Sequence, residues 1–295
     1  MEQDSWLSWK PWILAGLEDD GWRWDWTTLG CLREPDQQVR ARLVAKADGV
    51  WAGDGCLRAL EFVSREFGGE IRVTQNFFSG NRVKPGDVIA TWEGPARLIL
   101  AFERPVLNLV QYVSGIATST RALCDALEAA WPKTGAPLPR VTSTRKTLPG
   151  YRDLAVLGVR QGGGEAHRVS LSGGVLIKEN HIAAAGGIHA AIEGARKVAP
   201  HGLKIEIEVQ NEAELDQALA ARAEVVMLDN FSPSQVRSAL SRIPSGVGRP
   251  LVEISGGIRL ETIAEYAVPG VDVISVGSLT HSSRALDLSL LVDLG

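Results

Sequence analysis

Between Val141 and Gly277 the chain repeats one device, a short apolar run that stops at a polar or charged residue. Val141 to Thr144 leads into Arg145-Lys146, Val175 to Ile177 into Lys178, Ile205 to Val209 carries Glu208, and Val225 to Leu228 stops at Asp229. Leu251 to Ile254 runs into Ser255-Gly256-Gly257, and Val271 to Val276 into Gly277. Glu208 and Asp229 are 21 residues apart, and Asp229 and Glu253 are 24 apart. That spacing holds one helix between successive strands and implies βα units on a parallel sheet. Two helix starts can be named: Asn211 with Glu214, as in a capping box, and Ser232 before Pro233. When such units close into a barrel, functional groups gather at the C-terminal strand ends, where these polar residues fall. Six or seven units instead of eight predict a smaller or incomplete α/β barrel.

The chain before this region reads as α+β. Ala41 to Ala45, Ile71 to Thr74 and Val88 to Thr91 are strand-like, Leu57 to Phe67 is amphipathic, and Gly68-Gly69 and Lys84-Pro85-Gly86-Asp87 mark turns. A helix is expected over about Pro95 to Glu128, then a proline-rich loop from Trp131 to Pro139. Six of the nine tryptophans fall in the first 26 residues. Trp6, Trp9 and Trp12 suit one side of a helix, whereas Trp22, Trp24 and Trp26 alternate as in an extended segment; core packing is the expected role of both sets.

Charge narrows the partners. With 31 Lys plus Arg against 35 Asp plus Glu, the net charge of −4 argues against a general grip on nucleic acid or an acidic membrane. No apolar run approaches the roughly 18 residues of a membrane-spanning helix. Met1 to Lys10 carries Glu2 and Asp4 and does not read as a signal peptide, so a cytoplasmic chain is expected. Cys31, Cys56 and Cys124 are odd in number and widely spaced, the pattern of reduced, buried thiols.

The global charge conceals a local one. Between Arg140 and Lys178 there are seven basic residues and two acidic ones. Arg145, Lys146, His167, Arg168 and Lys178 look like an anion site, with the arginine fork suited to carboxylates and lysine to phosphate. The run Gly162-Gly163-Gly164 before His167-Arg168 would let backbone approach a ligand. Glu208 and Asp229 at neighbouring strand ends either hold a divalent ion, Mg²⁺ shared with a phosphorylated substrate, or pair with nearby cations. Ser255-Gly256-Gly257, before a helix expected near Leu260, and Gly277-Ser278, before Thr280-His281, suit phosphate cradles at helix N-termini. His181 lies close enough to Lys178 to orient it, while His189 and His201 show no metal-ligand spacing.

Taken in order, these residues resemble the quinolinate phosphoribosyltransferase family over nearly the whole chain. The resemblance rests on EDDGWRWDWTT (Glu18 to Thr28), the segment Glu93 to Thr118, TRKTLPG (Thr144 to Gly150) and GGGEAHRVSLSGGVLIKENH (Gly162 to His181). It continues through Ile207 to Val209, VMLDN (Val226 to Asn230), SGGI (Ser255 to Ile258) and Val271 to His281. It implies an N-terminal α/β sandwich over 1–107, with the tail 282–295 packed on it, and an incomplete α/β barrel over 108–281. It also implies a homodimer, Mg²⁺, and conversion of quinolinate and phosphoribosyl pyrophosphate to nicotinate mononucleotide, pyrophosphate and carbon dioxide. By the same resemblance Arg104 reaches quinolinate from the neighbouring subunit, and Arg145, His167, Arg168 and Lys178 complete that pocket. Lys146, Glu208 and Asp229 fall around phosphoribosyl pyrophosphate and its metal, and Ser255, Gly256, Gly257, Gly277 and His281 in the phosphate cradle.

The sequence departs from the family pattern at Tyr112, Ser143, Val156, Ala166 and Gly173, none of them among these site residues. Such departures suit a paralogous phosphoribosyltransferase with another carboxylate acceptor. Molybdenum-transport-associated homologues share TRKT but lose the LIKENH-like stretch, which is retained here as Leu176 to His181. A Schiff-base aldolase using Lys178 and a silent phosphate-binding protein are the remaining alternatives, and intact Glu208 and Asp229 count against the last.

Overall fold

The computed structural model describes residues 5–133 and 135–293; Glu2 and Asp4, weighed above, lie outside them. The chain forms two compact units: one comprises the residues up to Arg121, Pro149–Gly163 and the chain from Ser282 on, the other Ala122–Leu148 and Gly164–His281. This division differs from a single cut at residue 107. Residues 108–121 and 149–163 belong with the first unit because one long helix and the helix after TRKTLPG pack there, as does the tail.

The elements of the first unit begin with α1 (Trp6–Asp19), α2 (Trp26–Cys31), β1 (Gln38–Ala45), β2 (Gly49–Val50) and α3 (Asp54–Glu66). They continue with β3 (Arg72–Gln75), β4 (Arg82–Val83), β5 (Val88–Pro95) and α4 (Ala96–Ala130), which runs on into the second unit. Next come β6 (Arg140–Thr142), in the second unit, and α5 (Arg152–Gln161), back in the first. The second unit proceeds through β7 (Val175–Ile177), α6 (Glu179–Ala185), α7 (Ile188–Val198), β8 (Ile205–Val209), α8 (Glu212–Ala220) and β9 (Val225–Asp229). It ends with α9 (Pro233–Arg242), β10 (Leu251–Ser255), β11 (Val273–Ser275) and α10 (Ser278–His281), before β12 (Leu288–Val292) returns to the first.

In the first unit an antiparallel sheet of order β12-β1-β5-β3 carries a core that includes Leu43, Ile89 and Trp92. On α1, Trp9, Ile13 and Leu17 recur every four residues and are buried, and α3 buries Cys56, Leu57, Leu60 and Val63 at helical spacing. Trp6 stacks on Phe62 and Trp12 tilts against Tyr151, so the first tryptophan triplet packs along a helix as expected.

The second triplet does not form an extended segment. Gly21 turns the chain with φ +62°, Trp22–Trp24 make a 3₁₀ turn, and Asp25 accepts from the Thr27 and Thr28 N–H groups to start α2. Trp22 meets Phe67, but Trp24 and Trp26 are 68% and 73% exposed and stack on each other, so packing does not account for them. Cys31 is likewise exposed, while Cys56 and Cys124 are buried, and all three are free thiols.

The second unit is a parallel six-stranded sheet of order β6-β11-β10-β9-β8-β7. Among the described residues no ladder joins β6 to β7, which makes this the expected open α/β barrel. Both named caps form: Asn211 accepts from the Glu214 N–H, and Ser232 and Gln235 close a capping box with Pro233 at the first turn. The helix expected near Leu260 is absent. The chain makes only a 3₁₀ turn at Ile263–Tyr266, and α10 is a single turn, so neither glycine motif feeds a long helix.

Candidate active site

The strand register of the second unit sets out the site. β8 reads Ile-Glu-Ile-Glu-Val and is buried throughout; because side chains alternate, Glu206 and Glu208 share one face. Across the sheet Glu208 pairs with Met227 and Met227 with Glu253, while Asp229 pairs with Ser255 and Ser275 with Thr142. Around this face lies a cavity of about 480 Å³, lined by second-unit residues that include Met227, Glu253, Ser255 and Ser275.

Ten of the sequence-predicted residues line it: Arg145, Lys146, His167, Arg168, Lys178, Glu208, Asp229, Ser255, Gly256 and Gly257. His167 and Arg168 follow no strand; they lie in the irregular segment after Glu165, which bridges to Thr142. The preceding glycines serve packing. A Cβ on Gly162 would collide with the Ala117 carbonyl, and one on Gly163 with the Arg121 guanidinium. Gly277 and His281 stand beside Lys146, since a Cβ on Gly277 would come 3.4 Å from both His281 Nε2 and Lys146 Cδ. Arg104 is exposed on α4 in the first unit.

Two electrostatic halves can be distinguished. In one, Lys178 Nζ donates to Glu208, and Asn230 Nδ2 donates to Asp229 Oδ2 at 2.7 Å. Burial and the neighbouring Glu208 carboxylate push the Asp229 pKa up, against the pull of Lys178 and Lys146. An Asp229 carboxylate whose ionisation is opposed by a second carboxylate beside it fits a divalent cation, so the donor set suits Mg²⁺. Asn230 holds φ +57°, and its N–H donates to the Ser255 carbonyl at 2.9 Å. Gly256 must be glycine there, because a Cβ would run into the Asn230 side chain. His181 meets Lys178 through the backbone, its Nδ1 accepting from the Lys178 N–H at 3.0 Å to cap the start of α6.

In the other half, burial and the adjacent Arg145 lower the Arg168 pKa, so two guanidinium groups crowd one region. His167 Nε2 lies 3.2 Å from Glu206 and 3.3 Å from Glu253. Ser275 Oγ donates to Glu253 Oε1 at 2.5 Å and bonds Thr142 Oγ1 at 2.7 Å. Burial opposes the imidazolium charge, but the hydrogen bonds and charges of Glu206 and Glu253 outweigh it and push the pKa up to about 10. Burial likewise raises the Glu206 pKa, against the His167 bond. These three donor atoms lie within 4.8 Å of one another, a spacing open to a metal, but the imidazolium itself supplies the compensating cation.

Glu206, Glu253, Ser275 and Asn230 were not singled out in the sequence. The signal was present in β8, where carboxylates at alternate positions of an otherwise apolar strand point two acidic groups into one interior.

Comparison with known proteins agrees with this geometry. The family model described as quinolinate phosphoribosyl transferase, N-terminal domain, matches residues 25–114, and the C-terminal domain model matches 116–291. A probable nicotinate-nucleotide pyrophosphorylase [carboxylating] of Bacillus subtilis is 40% identical over 259 residues, 88% of this chain and 85% of that protein. The Homo sapiens nicotinate-nucleotide pyrophosphorylase [carboxylating] is 36% identical over 283 residues, covering 95% of this chain and 92% of that one. Among solved structures, NadC from Streptococcus pyogenes superposes with a TM-score of 0.84 at 34% identity, covering 96% of each chain. The Francisella tularensis nicotinate-nucleotide pyrophosphorylase gives 0.81 at 35%, covering 91% of this chain and 90% of that one. With both domain models in order along its length and an open barrel whose cavity gathers the motif residues, the chain belongs to the quinolinate phosphoribosyltransferase family.

Proposed function

We propose that this protein is a nicotinate-nucleotide pyrophosphorylase (carboxylating), which transfers the phosphoribosyl group of phosphoribosyl pyrophosphate to quinolinate and releases pyrophosphate and carbon dioxide in NAD biosynthesis. The observation that carries the reading is the division of one cavity into a guanidinium-rich half and a half of paired carboxylates and lysines. A planar dicarboxylate suits the first, and a pyrophosphate with a cation the second.

Departure of pyrophosphate leaves oxocarbenium-like charge on the ribose, so catalysis rests on positioning and fixed charge and not on a covalent nucleophile. In this reading Arg145, Arg168 and His167 bind quinolinate in the guanidinium-rich half, and Lys178 reaches it from the other. Glu208 and Asp229 would hold Mg²⁺, which would supply positive charge to the leaving pyrophosphate, with Lys146 beside Asp229. Ser255, Gly256, Gly257, Gly277 and His281 surround the phosphates, through left-handed backbone at Gly256 and Gly257 instead of helix N-termini. Arg104 completes the quinolinate pocket of a partner subunit in a homodimer. Ribosylation makes the ring nitrogen cationic, and that charge accepts the electrons left when the C2 carboxylate departs. Among the described residues no helix is long and apolar enough to cross a membrane, and three free thiols suit a cytoplasmic enzyme.

The test is direct: purified protein with quinolinate, phosphoribosyl pyrophosphate and Mg²⁺ should yield nicotinate mononucleotide. Turnover of free nicotinate or another acid, with none of quinolinate, would overturn the reading.

A further inference from the structure

The reaction has a proton requirement that substrate binding alone does not meet. When the bond from C2 to its carboxylate breaks and carbon dioxide leaves, the electron pair stays on C2 beside the cationic ring nitrogen. A C–H bond must then form there, and its proton must come from a donor at the guanidinium-rich end of the cavity.

Few lining groups qualify. Arg145 and Arg168 do not release protons at working pH. Lys178 is engaged with Glu208, and Lys146 is coupled to Asp229 in the other half. Thr144 and Ser255 hydroxyls are too weakly acidic, and the Ser275 hydroxyl already donates to Glu253.

His167 differs in how it is held. Its Nε2 is gripped from two strands, by Glu206 of β8 and Glu253 of β10, which leaves Nδ1 as the ring nitrogen available to the cavity that the ring lines. Glu253, 2% exposed, is fixed by Ser275 from β11, and Ser275 by Thr142 from β6. This chain of four side chains orients an imidazole as a carboxylate orients a catalytic histidine elsewhere. The charged groups around the ring are Glu206, Glu253 and the adjoining Arg168, while β9 contributes the neutral Met227 at the register of Glu253.

We propose that His167 is the acid that protonates C2 after decarboxylation, and that Glu253, clamped by Ser275, is the positioning residue that aims it. The step balances: the Nδ1–H bond breaks, the proton and the electron pair on C2 make the new C–H bond, and the imidazolium becomes neutral imidazole. Water restores the ring proton when the product leaves. The inference rests on the functional reading above.

Single-turnover quench experiments on the full chain, with quinolinate labelled in its C2 carboxylate, separate the two claims. If the unmodified enzyme forms no nicotinate mononucleotide, the functional reading fails. If it does, His167→Gln at saturating quinolinate should slow product formation about 10²- to 10⁴-fold. Pyrophosphate release should fall far less, so the ribosylated dicarboxylate accumulates. Equal falls in both, or undiminished product formation, overturn the proposal. Ser275→Ala keeps the histidine and both carboxylates and carries the same test if His167→Gln does not fold; it should show the same split, about 10-fold. Glu253→Gln keeps the hydrogen-bonding oxygen but removes a charge, so the alkaline limb of product formation should move to lower pH. An unmoved limb overturns the positioning role.

Discussion

Asn230 Nδ2 donates to Asp229 Oδ2 at 2.7 Å from a backbone held at φ +57°. The left-handed turn at the end of β9 thus aims the amide at the carboxylate next to it and brings the Asn230 N–H to the Ser255 carbonyl of β10. Asn230→Gly should keep the backbone and lose only the aiming amide, lowering kcat/KM for phosphoribosyl pyrophosphate about tenfold, a hydrogen bond to a charged group. Asn230→Ala should add backbone strain of about 1 kcal/mol. Urea unfolding of the two variants separates the contributions; equal stability would contradict the strain argument.

Removing the Lys178 ammonium leaves the buried Glu208 carboxylate without its partner. Because the Lys178 side chain is 45% exposed, Lys178→Met should cost only about 1 kcal/mol of stability. Activity should fall at least about 10²-fold, since the lost charge acts on the substrates. A large stability loss with activity kept would reverse this assignment.

Arg104→Ala is expected to raise the KM for quinolinate sharply while leaving phosphoribosyl pyrophosphate binding intact. Co-expressed with Lys146→Ala, it should regain up to one working site per mixed dimer. Absence of complementation, with mixed dimers shown to form, would speak against a shared site.

His167 makes a pH-dependent contribution to stability. Its folded pKa of about 10 lies above the ordinary imidazole value of 6.5, so the contribution is complete below about pH 6.5 and is withdrawn as pH rises through about 10. Melting temperatures of the native protein and His167→Gln should therefore differ most near pH 6 and converge near pH 10. A constant gap across that range would show that the ring is not held charged.

The tryptophans divide sharply. Trp9→Ala should cost about 3–5 kcal/mol because Trp9 is fully buried. Trp24→Ser with Trp26→Ser should change stability by about 0.5 kcal/mol or less. Denaturant midpoints measured on both variants settle the comparison.

The barrel was legible because its strands end in polar residues at regular intervals, and Lys178, Glu208 and Asp229 were found by that rule alone. His167 and Arg168 came from charge counting and resemblance, since no strand precedes them. Glu253 stayed hidden because an acidic residue inside an apolar run reads as an interruption until register places it beside His167. Trp22 to Trp26 misled because alternation in a short stretch cannot distinguish a strand from a capped turn, and the Asp25 carboxylate decides for the turn. The helix expected after Gly257 failed for lack of a cap: Arg259 and Thr262 bond to each other and close only a local turn.

The pairing of β1 with β12 has a consequence for synthesis. Arg42 and Asp293, joined at 2.8 Å beside that ladder, are 251 residues apart. A ribosome making this chain must deliver every strand of the parallel sheet before the first unit can receive its outermost strand. Throughout that interval one edge of β1 offers unpaired backbone to any passing strand. Truncation just before Leu288 would make this transient exposure of the β1 edge permanent.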